Sequence, residues 1–333
     1  MVAVLNVGSA TFKWKLFEDD GAEVQKNDGE DTKEEFYALL KEDHKFSVIA
    51  HRVVHGGVKY VEPAHISKGL IKYLREISYL APLHNPPAID VIEETLRIAP
   101  HAQHLADFDT GFFRDLPIYT KLYGLPYEWH KKYNIQRFGF HGLSHEYAAH
   151  EAAKQLNRPV KMLKLITVHL GAGSSVAAIA GGKPIDTSMG FTPLEGLMMA
   201  TRSGDIDPAI ILYLLKTHKL TVQEIDHALH KESGLKGIAG EEDMRTLLTR
   251  SDTRTLLALD MFIHRIRKYI GAYMAILGGL DAIVMTGAIG AGSEYIRNRV
   301  TVGLDIFGDF QFLKVETNEE KMIFQHIQPC IKK

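Results

Sequence analysis

Cysteine is almost absent. The 333 residues hold one, Cys330, so no intrachain disulfide can form, as in a reducing compartment. Nothing around Cys330 resembles an activating pocket, so it is read as a bystander rather than a nucleophile. An excess of charge is also missing. Thirty-nine Lys and Arg stand against 41 Asp and Glu, for a net charge of -2, which leaves no bulk positive field to hold nucleic acid. No run reaches the ~18 apolar residues that would cross a bilayer. The N-terminus lacks a basic stretch followed by an apolar run and a cleavage site. These absences predict a soluble, cytoplasmic, unprocessed chain with neither nucleic acid nor membrane as partner. There is no low-complexity segment, no solenoid period, no Walker A motif and no clean G-x-G-x-x-G, which weakens P-loop and Rossmann readings. There is no H-E-x-x-H, and a lone cysteine excludes cysteine-rich zinc sites.

What is present begins with two look-alike segments, Val4-Leu5-Asn6-Val7-Gly8-Ser9-Ala10-Thr11-Phe12-Lys13-Trp14 and Val168-His169-Leu170-Gly171-Ala172-Gly173-Ser174-Ser175-Val176. Each reads as an apolar strand, a tight Gly/Ser/Thr loop and a second strand. Such loops can bring backbone N–H groups close to phosphate oxygens, and hydroxyls add donors. Plain turns look the same in sequence. Two such hairpins suggest a duplicated fold with phosphate held between its halves. The length suits two domains, and a hydrophobic content of 45% suits sizeable cores.

Strand and helix patterns alternate, which places the chain in the α/β class. Glu18–Asp31 reads as a turn and solvated loop, Glu34–Leu40 as a helix, and Phe46–Val54 as a strand ending at Gly56-Gly57. Gly69–Leu80 reads as a helix stopped by the proline-containing 81–87 segment, with Pro87 opening the next. Leu105–Phe108 is a strand running into Asp109-Thr110-Gly111. Residues 116–139 read as loop and short helix, and Ser144–Leu156 as a helix. Strands are expected at Leu163–Val168, Val176–Ile179 and Lys183–Asp186, and helices after Pro208 and over Asp260–Leu277. The strand Ala282–Thr286 meets Gly287-Ala288-Ile289-Gly290 and a helix over Ser293–Val300, a geometry that nucleotide sites use. A last helix opens at Glu319-Glu320, with Thr317 as its N-cap.

Several polar residues sit where chemistry could use them. Arg52 ends a buried strand, where its fork suits carboxylate or phosphate, or else a structural ion pair. Arg202 is a loop arginine among small residues. Asp109 follows a strand, as a metal ligand, a base or a turn cap. His141 lies between Phe140 and Gly142. Glu319 and Glu320 read equally as capping and dipole compensation.

Together these segments closely resemble the acetate kinase family, within the acetate and sugar kinase/Hsp70/actin superfamily. The blocks that carry the resemblance are LNVGSATFKWKLF, HRVVHGG, LAPLHNPPAI, DFDTGFF, FGFHGLSH, HLGAGSS, DTSMGFTPLEGLMMATRSGDIDP and TNEE. The resemblance implies an α/β fold of two actin-like, ribonuclease H-like domains with a duplicated core and an interdomain cleft. One domain is expected over residues 1–111 plus 318–333 and the other over 112–317. It implies reversible phosphoryl transfer between ATP/ADP and acetate/acetyl phosphate, with magnesium or manganese, in a homodimer. It assigns Arg52, Asp109, His141 and Arg202 to catalysis. Val54, Leu83, Phe140 and Pro193 become the acyl pocket. Ser9, Thr11, Lys13, His169, Gly171, Gly173, Gly287 and Gly290 become phosphate and nucleotide contacts, and Asn6 and Glu319 the metal site.

The chain also departs from the family pattern. Ala172 stands where the family usually has Asn, Ala291-Gly292 where it has Glu-Asn, and Phe113 where histidine is common. The chain is shorter than typical members, with segments missing between Leu16 and Ala50 and between Leu304 and Val315. The acyl side is intact and the donor side eroded. A propionate-type or pyrophosphate-using acyl kinase, and a non-catalytic regulatory relative, are the alternatives.

Overall fold

A computed structural model describes residues 1–8, 11–27, 32–42 and 46–331. The chain divides into two compact units. One comprises Met1–Arg114, Phe140–Tyr147 and Asn318–Lys333, and the other Asp115–Gly139 and Ala148–Thr317. The expected division, 1–111 plus 318–333 against 112–317, differs from this one in assigning residues 112–114 and 140–147 to the second domain. Leu143 and Tyr147 pack in the first unit with Val2, Val4, Phe17 and Leu105, so the first turns of the helix Gly142–Gln155 fold with that unit.

The first unit is built on a six-stranded sheet. Its strands are β1 (Val2–Val7), β2 (Phe12–Phe17), β3 (Glu23–Asn27), β4 (Val48–Val53), β5 (Ala64–His65) and β6 (Gln103–Phe108), in the order β3-β2-β1-β4-β6-β5. β1 is buried throughout and is antiparallel to β2 and parallel to β4, which is parallel to β6. Side chains alternate between the faces of a strand. Ala3, Leu5, Val7 and Ile49 therefore join Trp14, Phe36, Phe46 and Val91 on one face. Val2, Val4, Val48, Ala50 and Leu105 join Met322, Ile323, Phe324 and Ile327 on the other. The same alternation puts Asn6, Arg52, Asp107 and Asp109 on the face covered by the last helix, Glu319–Ile327. Each of that helix's buried apolar side chains contributes about 1.5–3 kcal/mol of burial, which fixes its first turn over the strand ends.

The second unit carries a five-stranded sheet of β7 (Lys164–Leu170), β8 (Ser174–Ala180), β9 (Lys183–Thr187), β10 (Ala282–Thr286) and β11 (Gln311–Lys314), in the order β11-β10-β7-β8-β9. β7, β8 and β9 form an antiparallel meander, and β10 and β11 continue parallel to β7. This is the order of β1-β2-β3 followed by β4 and β6, so the duplication suggested by the paired hairpins exists in the topology. The 25-residue helix Thr253–Leu277 packs Ala258, Phe262, Ile266 and Ile270 onto this sheet. Asp252 caps its start by accepting from Thr255 N–H, and Gly278, at φ 58°, closes it.

Several boundaries differ from the sequence reading, among them the long helix, which starts at Thr253 rather than Asp260. Glu18–Asp31 is not all loop: β3 lies in it and pairs with β2, while residues 28–31 lie outside the described residues. The second helix of the first unit ends at Glu76 and is followed by a short 3-10 turn, Ser78–Leu80. The next helix starts at Asn85, two residues before Pro87, because proline fits anywhere in a first turn whose N–H groups have no intrahelical partner. The last helix is capped by Asn318, which accepts from Lys321 N–H, and not by Thr317.

Candidate active site

Asn6, Arg52 and Asp109 stand at the carboxyl ends of three neighbouring parallel strands, the end of an α/β sheet where ligands bind. They form one hydrogen-bonded network in the first unit. Arg52 Nη1 donates to Asn6 Oδ1 at 2.8 Å, and Arg52 Nε donates to Asp109 Oδ2 at 3.1 Å. Arg52 Nη2 also pairs with Asp109, and Nη1 lies 3.2 Å from Glu319 Oε2. Asn6 Nδ2 donates to Glu319 Oε2 at 2.8 Å and to Glu320 Oε1 at 2.6 Å. The two glutamates are buried and turned toward Asn6, so they do more than balance the helix dipole. The network fixes the Asn6 amide: its oxygen faces the arginine and its nitrogen the carboxylates.

The electrostatics follow from burial. Desolvation pushes the Asp109 carboxyl up, Arg52 pulls it back and Glu319 pushes it up again, leaving it at about 6. Burial works against the Arg52 cation, but the Asp109 and Glu319 charges hold its pKa above the ordinary arginine value. Asp109 Oδ1 is buried and has no hydrogen-bond partner among the described residues. A buried carboxylate oxygen without a donor is an acceptor awaiting a cation or a donor.

That orphan bears on metal binding. Among the described residues no group of three or more His, Cys, Asp and Glu side chains is arranged to hold a metal ion. Magnesium needs no such cage, since one or two carboxylates plus substrate phosphates and water complete its shell. Asp109 and Glu319, both hard oxygen donors bound to the same arginine, fit that requirement. Asn6 stands beside them with its oxygen already engaged by Arg52.

His141 follows Phe140 and adopts a left-handed backbone, φ 56°, which few non-glycine residues hold, histidine more readily than most. It is fixed from both sides. Gly142 N–H donates to Asp109 O at 3.1 Å and His145 N–H to His141 O at 2.9 Å. A Cβ on Gly142 would lie 2.0 Å from Asp109 O, so only glycine lets the two segments approach. Val54 and Phe140 are buried and Leu83 is partly exposed. Thr11 and Lys13 are exposed at the β1–β2 turn, with Lys13 directly across from Asn6. Ser9 lies outside the described residues.

The remaining candidates lie in the second unit. Arg202 donates from Nη1 to Pro193 O at 2.7 Å. Among the described residues it has no ion pair, and burial lowers its pKa to about 10. A cation so placed favours an anion. Its loop is closed by Gly196 N–H donating to Asp205 Oδ1 at 2.8 Å and Asp205 N–H to Gly196 O at 3.0 Å. His169 sits near the end of β7, paired with Thr286 of β10. Gly171 N–H donates to Gly173 O at 3.0 Å. Gly287, at φ 78°, begins a helix directly after β10, and a Cβ on Gly290 would lie 3.4 Å from Val168 O.

The structure thus joins Asn6, Arg52, Asp109 and Glu319 in one unit and Arg202 with Pro193 in the other. The sequence reading passed over Glu320 as a partner of Asn6. It also passed over Arg137, which donates to Thr187 O, Met189 O and Glu195 Oε1 and clamps the segment carrying Pro193. The adjacent acids of TNEE were the available signal for Glu320. For Arg137 there was none, since its partners, two carbonyls and the Glu195 carboxylate, lie 50 to 58 residues along the chain.

Residues 31–325 match the acetokinase family model. The chain belongs to the acetokinase family. It is 46% identical over 279 residues to the acetate kinase of Acetivibrio thermocellus, a match spanning 83% of this chain and 70% of that protein. Among solved structures it is similar to a propionate kinase from Francisella tularensis, with a TM-score of 0.89, 34% identity and 98% of each chain covered. It is also similar to the Porphyromonas gingivalis acetate kinase, with a TM-score of 0.86, 31% identity and 99% of each chain covered. The family's fold of two actin-like domains accords with the duplicated sheet order.

Proposed function

We propose that this protein is an acetate kinase, transferring the terminal phosphoryl group of ATP reversibly to acetate to give acetyl phosphate. The observation that carries the reading is the buried Asn6–Arg52–Asp109–Glu319 network in a chain of this family. The alternatives are not favoured. The curated relatives at 44–48% identity are named acetate kinase, and a non-catalytic chain has no physical need for a buried charge network.

Phosphoryl transfer asks the protein for alignment and charge stabilisation more than for covalent chemistry. A carboxylate acceptor is ionised near neutral pH, so no general base is required. In-line attack of an acetate oxygen on the terminal phosphorus is the economical route. Arg52 and Arg202 bind the acetate carboxylate and the equatorial oxygens of the transferring group, and His141 donates to that group. Val54, Leu83 and Phe140 of the first unit and Pro193 of the second are the residues we assign to the methyl group. Magnesium, or manganese in its place, would be held by Asp109 and Glu319, with Asn6 orienting them, and supplies positive charge to the phosphate oxygens when bound. Thr11, Lys13, Ser9, His169, Gly171, Gly173, Gly287 and Gly290 serve the nucleotide phosphates.

A homodimer belongs to the same proposal. The helix Pro208–Thr217 is rich in apolar residues, yet none is buried, and Ile210, Leu212 and Tyr213 are each about half exposed. A second copy covering that helix would remove the patch from water. No helix among the described residues is long and apolar enough to cross a membrane; a cytoplasmic location is part of the same proposal. The deciding experiment is a hydroxamate assay for acetyl phosphate with ATP, GTP and pyrophosphate as parallel donors. ATP-dependent product with acetate is expected, and no product with any donor would sink the reading.

A further inference from the structure

Asn85 opens a helix, a place where asparagine ordinarily caps its own N–H groups. Here it does not. The N-cap position is His84, without a side-chain cap, and the Asn85 amide is turned onto the end of β4. His55 N–H donates to Asn85 Oδ1 at 3.1 Å, and Asn85 Nδ2 donates to His55 O at 3.0 Å. Both residues are fully buried. The two bonds use both ends of the amide on one residue's backbone, a pairing that fixes distance and orientation together.

What this clamp joins is the acyl pocket. Val54 precedes His55 directly. Leu83 lies two residues before Asn85, inside a turn closed by His84 N–H and Asn85 N–H, which both donate to Ala81 O at 3.0 Å, so its backbone is held in the turn that ends at Asn85. The third wall follows from the His55 ring. Its Nδ1 accepts from Gly57 N–H at 2.8 Å, and the ring packs edge-on against Phe140 at 5.5 Å between centroids. Burial pushes the His55 imidazole down to about 3, so it stands as a neutral packing group.

We propose that Asn85 is a positioning residue that sets the separation of Val54, Leu83 and Phe140, and thereby the acid chain length the enzyme prefers. The proposal rests on the acetate kinase reading and its pocket assignment. A purely structural amide would weaken turnover with every acid alike. A clamp on the pocket walls changes selectivity between acids that differ by one methylene.

The test compares acetate and propionate with Asn85→Ala, Asn85→Asp and Val54→Ala. Asn85→Ala leaves two buried backbone groups unpartnered, so Asn85→Asp, which keeps the acceptor for His55 N–H, is measured beside it. In Asn85→Ala the propionate-to-acetate ratio of kcat/KM should rise about three- to tenfold, a fraction of what one methylene can be worth. The acetate KM should rise while the ATP KM stays, and Asn85→Asp should move the same way by less. A ratio within about twofold of wild type in a folded Asn85 variant, while Val54→Ala shifts it, overturns the clamp and leaves the pocket standing. An unchanged ratio in all three variants overturns the pocket reading and the clamp with it. Failure of both Asn85 variants to fold makes the amide purely structural and overturns the proposal.

Discussion

Replacing Arg52 by alanine separates what the site does for chemistry from what it does for stability. The side chain is 11% exposed and pairs with Asp109 and Glu319, which are as deeply buried. Breaking a buried pair from one side costs about 3–5 kcal/mol, because the remaining charge has lost its partner. Here part of that cost can be escaped. Burial has already raised Asp109 from 3.8 to about 6, and without the arginine it rises further and takes up a proton.

The sign of the pH dependence follows. A carboxyl raised on folding stabilises the protein least where it must ionise, so stability is lost as pH climbs from 3.8 through the folded value. Wild type completes that loss by about pH 6. Arg52→Ala continues to lose ~1.4 kcal/mol per pH unit above that point, until Asp109 ionises at its new, higher pKa. The stability gap should therefore be small near pH 5 and widen from about pH 6 upward. Urea unfolding followed by circular dichroism at about pH 5.5, 6.5 and 7.5, without magnesium, measures it. Turnover in the hydroxamate assay should fall ~10²–10³-fold with the fold intact. A gap that is flat or narrows with pH would refute the charge coupling, and near-normal turnover would refute the catalytic role.

Arg202→Ala should behave oppositely in stability: turnover falls by ~10²–10³, but the melting temperature is unchanged or higher. Burial lowers its pKa to about 10 and, with no ion pair among the described residues, its bond to Pro193 O offsets only part of that cost; a clear drop in melting temperature would contradict this. Calorimetry with magnesium present should show ADP and GDP bound with similar affinity and pyrophosphate retained, because Ala172, Ala291 and Gly292 supply no side-chain hydrogen bonds, each worth about 0.5–1.5 kcal/mol; tight ADP binding with strong rejection of GDP would restore an ordinary nucleotide site. Leu212→Glu on the exposed apolar helix should convert a dimer to a monomer in light scattering, and an unchanged mass would place the interface elsewhere.

The central strands β1, β4, β7, β8 and β10 were legible because nearly every side chain in them is buried and most are apolar. β3 and β11 were not. Glu23–Asn27 and Gln311–Lys314 lie at sheet edges with nearly every side chain exposed, so backbone pairing holds them and composition says nothing. In the site, Arg52 and Asp109 were visible as charges ending apolar strands. The bond from Asn6 to Glu320 spans 314 residues. It arises only because strand alternation turns Asn6 toward the helix that Met322, Ile323 and Phe324 anchor, a fact of packing that no local pattern carries. Thr317 precedes an acidic first turn, as a cap would, but Asn318 is one residue nearer and its side chain accepts from Lys321 N–H.

The duplicated sheets make the asymmetry between the halves interpretable. By strand order β1, β4 and β6 correspond to β7, β10 and β11, so Asn6, near the end of β1, has His169, near the end of β7, as its counterpart. Around Asn6 the strand ends carry an arginine and carboxylates locked into one another. Around His169 they carry Gly171, Gly173 and Gly287, which offer backbone alone. A charge network organises groups that must stabilise changing charge, and its burial keeps water from screening them. Backbone loops suit a ligand whose charge is fixed and spread over several phosphate oxygens. The same scaffold therefore carries a charge network in the first unit and glycine loops in the second, where Arg202 is the one group proposed to take part in the chemistry. Erosion of side chains at the second unit's loops should alter which donor is held before it alters how the phosphoryl group is transferred.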